Sequence, residues 1–190
     1  MGSTASQPVL TLVSRKCMKA VLAMLLLTLS VFAQSKTTGT AVSPGCGPTN
    51  VTFKVKTDKR QHPVTEPDAG KALVYFLQDD AAFVPRPRPT TRVGLDGSWV
   101  GATHADSYFY FPVEPGEHHL CANWQDAVTW GKSRSTAAVH FTAEAGHVYY
   151  FRALDVANSY QQPTVEVAEV ESDQALTLMS TFSFSTSHRK

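Results

Sequence analysis

A mainly β fold, an antiparallel sandwich of the immunoglobulin-like or transthyretin-like kind with a short C-terminal helix, is what the sequence predicts. Three observations carry that expectation: brief apolar or alternating segments recur at roughly ten-residue spacing, Gly and Pro punctuate them, and no fixed-period repeat calls for a propeller or solenoid. Some eight or nine strands are expected on this pattern.

The elements follow in chain order. Val51, Phe53 and Val55 alternate with Thr52, Lys54 and Lys56, the period of a half-buried strand. Residues 58–70, containing Pro63 and Pro67, read as a loop. Lys71 to Gln78 is a continuous apolar run of strand length, centred on Val, Tyr and Phe, and predicts a strand covered on both faces. The following DDAAFVPRPRPTT is expected to end it, because Pro85, Pro87 and Pro89 remove ladder donors, and Arg86 and Arg88 read as a solvated face. Asp96-Gly97 between two short apolar stretches, from Thr91 to Gly101, predicts a hairpin. Ser107 to Val113 is an aromatic strand with Tyr108 and Tyr110 on one face and Phe109 and Phe111 on the other.

Glu114-Pro115-Gly116-Glu117 has the signature of a type II turn and returns the chain into His118 to Trp124. Residues 126–135 read as a longer loop. Ala137 to Thr142 and His147 to Leu154 predict two strands joined compactly, with Gly146 taking the left-handed conformation. Val165, Val167 and Val170 suggest the last strand, and Ser172 is a candidate N-cap for a helix through Ala175, Leu176 and Met179.

Before all of this, Lys19 precedes an apolar run from Ala20 to Leu29 that is too short to span a bilayer and suits a signal-peptide core. Val31-Phe32-Ala33 fits a signal-peptidase site, so cleavage is expected after Ala33 with Gln34 as the first mature residue. The expected organisation is a signal peptide over 1–33, a flexible Ser/Thr/Gly-rich lead-in over 34–48, one sandwich domain over 49–184 and a loosely held tail over 185–190. Met18-Lys19 makes a more ordinary start than Met1. No cysteine follows the cleavage site to accept lipid, so the expectation is a soluble periplasmic or secreted protein with no membrane span once mature.

Composition narrows the partners. A chain of 190 residues, 43% hydrophobic and 17% charged, suits one core, and a net charge of +1 from 17 basic and 16 acidic residues offers no footprint for nucleic acid or an anionic membrane. Removing the leader takes Cys17 and leaves Cys46 and Cys121, which an oxidising compartment would pair. The loop so closed spans about 75 residues, worth roughly 4 kcal/mol in the chain-entropy model.

Taken together, Gly70-Lys71-Ala72-Leu73-Val74-Tyr75, Val93-Gly94-Leu95-Asp96-Gly97, Ser107-Tyr108-Phe109, the run from Val113 to Leu120 and the run from Ala143 to Tyr150 resemble, in order and spacing, a bacterial envelope family known as domain of unknown function 2846. The resemblance covers about Gly70 to Leu154, its most specific piece being Pro115-Gly116-Glu117-His118-His119-Leu120. It implies a small exported β-sandwich, often on a lipoprotein, with no established enzymatic activity. The absent lipid-acceptor cysteine departs from the lipoprotein members.

Candidate chemistry is sparse. His118, His119, Cys121 and His140 fall on neighbouring strands, but His118 points away from His119 and Cys121, and zinc wants three or four converging ligands, so no metal or other cofactor is expected. The G-x-S-x-G elbow is missing, and Asp79 with Asp80, or Glu114 with Glu117, read as solvated loop and turn carboxylates, so no catalytic residues are assigned. Trp99, Tyr108 and Tyr110, with Trp124 and Trp130, are weighed as an exposed aromatic platform against the alternative that they pack the core. The functional expectation is a non-enzymatic envelope module with a structural or protein-interaction role. A small-ligand or carbohydrate-binding domain using Trp99, Tyr108 and Tyr110 is the alternative.

Overall fold

The computed structural model describes residues 45–126, 135–158 and 161–190, and among these described residues there are ten strands and one helix. The expected signal peptide, most of the expected lead-in, most of the expected 126–135 loop and Trp130 lie outside these residues. A six-stranded sheet runs in the order β1 (Phe53–Asp58), β10 (Ser183–Arg189), β5 (Ser107–Val113), β2 (Ala72–Phe83), β8 (Val148–Asn158) and β9 (Gln161–Glu169). A four-stranded sheet runs β4 (Ser98–His104), β3 (Thr90–Leu95), β6 (Gly116–Trp124) and β7 (Thr136–Ala143).

The sandwich expected from strand spacing is present, because period-2 alternation gives each sheet one apolar inner face. Val74, Phe76, Phe109, Phe111 and Phe151 from the larger sheet meet Val93, Leu120, Ala122, Trp124 and Phe141 from the smaller. The centre of the larger sheet is covered on both faces: Leu73, Tyr75, Leu77 and Tyr108 on its outer side pack against Ala175 and Met179 of helix α1 (Ser172–Met179) and against Phe182. That explains why β2 reads as a continuous apolar run rather than an alternating one. Most pairs are antiparallel, but β2 with β8 and β10 with β5 are parallel.

Several expectations need correction. Strand β2 does not stop at Gln78; it continues through Asp79 and Asp80 to Phe83, because those polar side chains find partners inside the fold, and Pro85 sets the limit. Neither the 114–115 turn nor the 144–147 connection closes a hairpin. Strand β5 has both edges occupied by β2 and β10, so Pro115 and Gly116, the latter at φ 138°, carry the chain across to the other sheet. Gly146, at φ 81°, carries it back from β7 to β8. The expected tail, 185–190, is instead mostly β10. Its alternating Ser, Thr and Phe residues hide a strand whose backbone is taken up by β1 over Phe53 to Asp58, and Ser187 Oγ accepts the Ala102 N–H at 3.0 Å. The N-cap of α1 is Glu171, not Ser172, and makes no side-chain cap.

The end of the lead-in is also fixed. Residues 45–53 cross the outer face of the four-stranded sheet, where Cys46, Val51 and Phe53 pack with Trp99, Ala102 and Cys121. Gly94 on β3 lies so close to the Gly45 carbonyl that a methyl group there would collide with it, the close backbone approach for which strand glycine is suited.

Candidate functional site

The three proposed ligand-facing rings do not form an exposed platform. Trp99 is buried: its indole N–H donates to the Pro48 carbonyl at 2.7 Å, and the Arg92 guanidinium lies 4.5 Å from its ring centroid. A β-bulge where Val93 pairs with Gly101 and Gly94 with Trp99 turns this ring to the outer face, where residues 45–51 cover it. Tyr108 lies wholly inside, beneath α1, and burial raises its phenol to about 12. Tyr110 alone remains half-exposed, and even its ring sits against Tyr75 at 5.4 Å and Phe184 at 5.8 Å. Trp124 is fully buried.

The cysteine expectation fares differently. The sulfurs of Cys46 and Cys121 stand at disulfide distance, with Cα atoms 5.1 Å apart. Cys121 points outward from β6, so this pair clips the residues before β1 onto the four-stranded sheet. Among the described residues no group of three or more His, Cys, Asp or Glu converges as a metal site.

The densest polar chemistry sits where sequence reading placed a solvated loop. Gln78 and Asp80 continue the inward-facing row of Val74 and Phe76 along β2, and Asp155 continues that of Phe151 and Ala153 along β8. All three are wholly buried. Gln78 Nε2 lies 2.9 Å from Asp80 Oδ1, 2.9 Å from Asp155 Oδ2 and 3.1 Å from the Pro89 carbonyl, while the Trp124 indole N–H donates to Asp155 Oδ1 at 2.9 Å. Arg88 reaches in from the proline-rich loop, ion-paired with Asp106 and 3.8 Å from Asp80 Oδ2. The Asp106 carboxylate also accepts the Asp80 N–H at 2.9 Å. Asp79, on the other face of β2, pairs with Arg152 at 2.6 Å.

Desolvation pushes both inner carboxyls above their usual range: Asp155, raised further by the charge of Asp80, reaches about 9, and Asp80 is raised although hydrogen bonds from Asp155 and Gln78 and the charge of Arg88 pull it down. The pair therefore holds a proton at neutral pH, as one coupled unit. With an indole N–H and an amide already aimed at its oxygens, this arrangement suits a stored proton better than a cation. Periodicity carried the signal for it: Gln78 and Asp80 keep the inward step of the preceding strand.

A second polar device explains Asp96. At φ 49°, followed by Gly97 at 80°, it makes the tight hairpin turn. Its Oδ1 then accepts the His119 N–H at 2.8 Å and its Oδ2 meets His118 Nδ1 at 2.6 Å. Desolvation opposes charging of both partners, yet the hydrogen bonds prevail, lowering Asp96 and raising His118 from their ordinary values.

Comparison with known proteins adds a family. No curated protein and no solved structure matches the chain. A family model described as a protein of unknown function (DUF2846) matches residues 68–167, which run from just before β2 into β9 and include the buried carboxyl pair, the Asp96 turn and Cys121. The chain belongs to the DUF2846 family.

Proposed function

We propose that this protein works outside the cytoplasm, in the bacterial cell envelope, as a non-enzymatic module with a structural or protein-interaction role. The observation that carries this reading is the Cys46–Cys121 pair, which ties the stretch following the expected leader to the sheet and persists in an oxidising compartment. The small-ligand alternative has lost its motive, since Trp99 and Tyr108 are spent on packing. Partner recognition then falls to the outer surfaces of the sandwich.

Expression of the full chain with its leader tests the compartment. The expected product starts at Gln34, fractionates with periplasmic or secreted protein, and alkylates at Cys46 and Cys121 only after reduction. An uncleaved cytosolic protein whose thiols react without reductant refutes the reading. The interaction role is tested by in-cell crosslinking from surface positions: a discrete envelope adduct supports it, and a chain that crosslinks to nothing overturns it.

A further inference from the structure

The outer face of the four-stranded sheet carries two histidines directly across from one another, His119 on β6 and His140 on edge strand β7. Both are exposed, and among the described residues neither imidazole makes a hydrogen bond or ion pair. Their spacing follows from the ladder. The His119 N–H donates to Asp96 Oδ1 at 2.8 Å and its carbonyl accepts the Asp96 N–H at 3.0 Å. Both backbone groups are thus turned toward β3, which makes His119 and His140 a non-hydrogen-bonded pair, the closer of the two antiparallel kinds. Cβ atoms in such a pair stand about 4.5–5.5 Å apart, a span two imidazoles can close on a single ion at about 2.0–2.1 Å per bond.

The surroundings favour it. Ala138 and Thr142 flank His140 on the same face of β7 and add little bulk, and Glu117, exposed and two residues from His119 on its own face, contributes negative charge. His118 is excluded, being turned to the other face and held by Asp96 and the Glu114 carbonyl.

We infer that His119 and His140 form a two-imidazole surface site for a divalent transition-metal ion of the copper(II) class, bridging β6 and the edge strand β7. Two nitrogen donors with water completing the sphere suit copper(II), which heads the divalent series for such ligands, better than zinc, which needs three or four protein donors to be held firmly. Because the ion bridges two strands, it binds the folded state and stabilises it.

Titration of the purified protein with copper(II), followed by calorimetry and by paramagnetic resonance for nitrogen coordination, tests the site. The expected result is one equivalent bound with imidazole ligation, at least tenfold weaker in His119→Ala and in His140→Ala, unchanged in His147→Ala, and weaker for zinc(II) throughout. Saturating copper(II) raises the melting temperature of the parent protein and not of either variant. His119→Gln and His140→Gln serve the same purpose if an alanine variant folds poorly. Affinity and melting shift that survive both substitutions, or tighter binding of zinc(II) than copper(II), overturn the inference.

Discussion

Replacing Asp155 with Asn tests whether the sandwich interior stores a proton. In the native protein Asp155 titrates near 9, against 3.8 for an unperturbed aspartate. A group whose native value is raised lends its full stability below the unfolded value and loses it as pH climbs through the native one. The window therefore runs from about pH 4 to about pH 9. At pH 7 the unfolded chain has released a proton that the native state keeps, a gap of about three pH units. At about 1.36 kcal/mol per unit, the cost reaches at most about 4 kcal/mol. Solvent relaxation and the shared titration with Asp80 reduce that ceiling.

Asparagine mimics the neutral acid and removes the titration. Denaturant unfolding at half-unit intervals from pH 4.5 to 9 reads it directly. The parent protein should lose stability steadily across this range, and Asp155→Asn should flatten most of that slope. A constant offset between the two curves measures the repacking of Gln78 and Trp124 around the new amide; the slope alone measures the proton. A variant that keeps the parental slope refutes the argument.

Three further outcomes are expected. Gly94→Ala pushes a methyl group into the Gly45 carbonyl and should lower stability by about 1–3 kcal/mol, the usual range for overpacking, with protease sensitivity appearing first around residues 45–53 in limited proteolysis. Asp96→Asn removes the carboxylate that holds His118 protonated; stability gained below about pH 6.5 and lost as pH rises through the elevated histidine value should vanish, as melting curves from pH 5.5 to 8.5 would register. Deleting residues 184–190 strips β1 of its partner and opens the edge of β5, so circular dichroism should report loss of cooperative folding, where a loose tail would leave melting unchanged.

Local order was legible where one segment carries its own reason. The SYFYF run specifies its two faces by alternation alone, and Phe109 and Phe111 do line the inter-sheet core while Tyr108 and Tyr110 face α1. Asp96-Gly97 specifies its turn by backbone sterics. What failed depended on partners distant in sequence. Nothing within Glu114–Glu117 states that β2 and β10 already flank β5, so a turn that looks like a hairpin becomes a crossing between sheets. Nothing within Ser183–Arg189 states that β1, some 130 residues earlier, will take up its backbone.

The polar interior was missed for a related reason. A carboxylate at the end of an apolar strand is normally solvated, and only the parallel pairing of β2 with β8 brings Asp155 alongside Gln78 and Asp80. Once there, the side chains cannot return to water without breaking the strands, so they share a proton: the Trp124 indole N–H donates to Asp155, the Pro89 carbonyl accepts from Gln78, and the Arg88 guanidinium offsets charge on Asp80. The histidine pair shows the converse. Alternation alone set His118 apart from His119, but the choice of His140 as the residue facing His119 needed the ladder register, which the turn at Asp96 helps to fix by taking both backbone groups of His119. A single aspartate thus shapes the hairpin, faces one histidine with its charge and engages the backbone of the next; because asparagine keeps an Oδ1 to accept the His119 N–H but carries no charge, Asp96→Asn should disturb copper binding at His119 and His140 less than it disturbs the pH profile governed by His118.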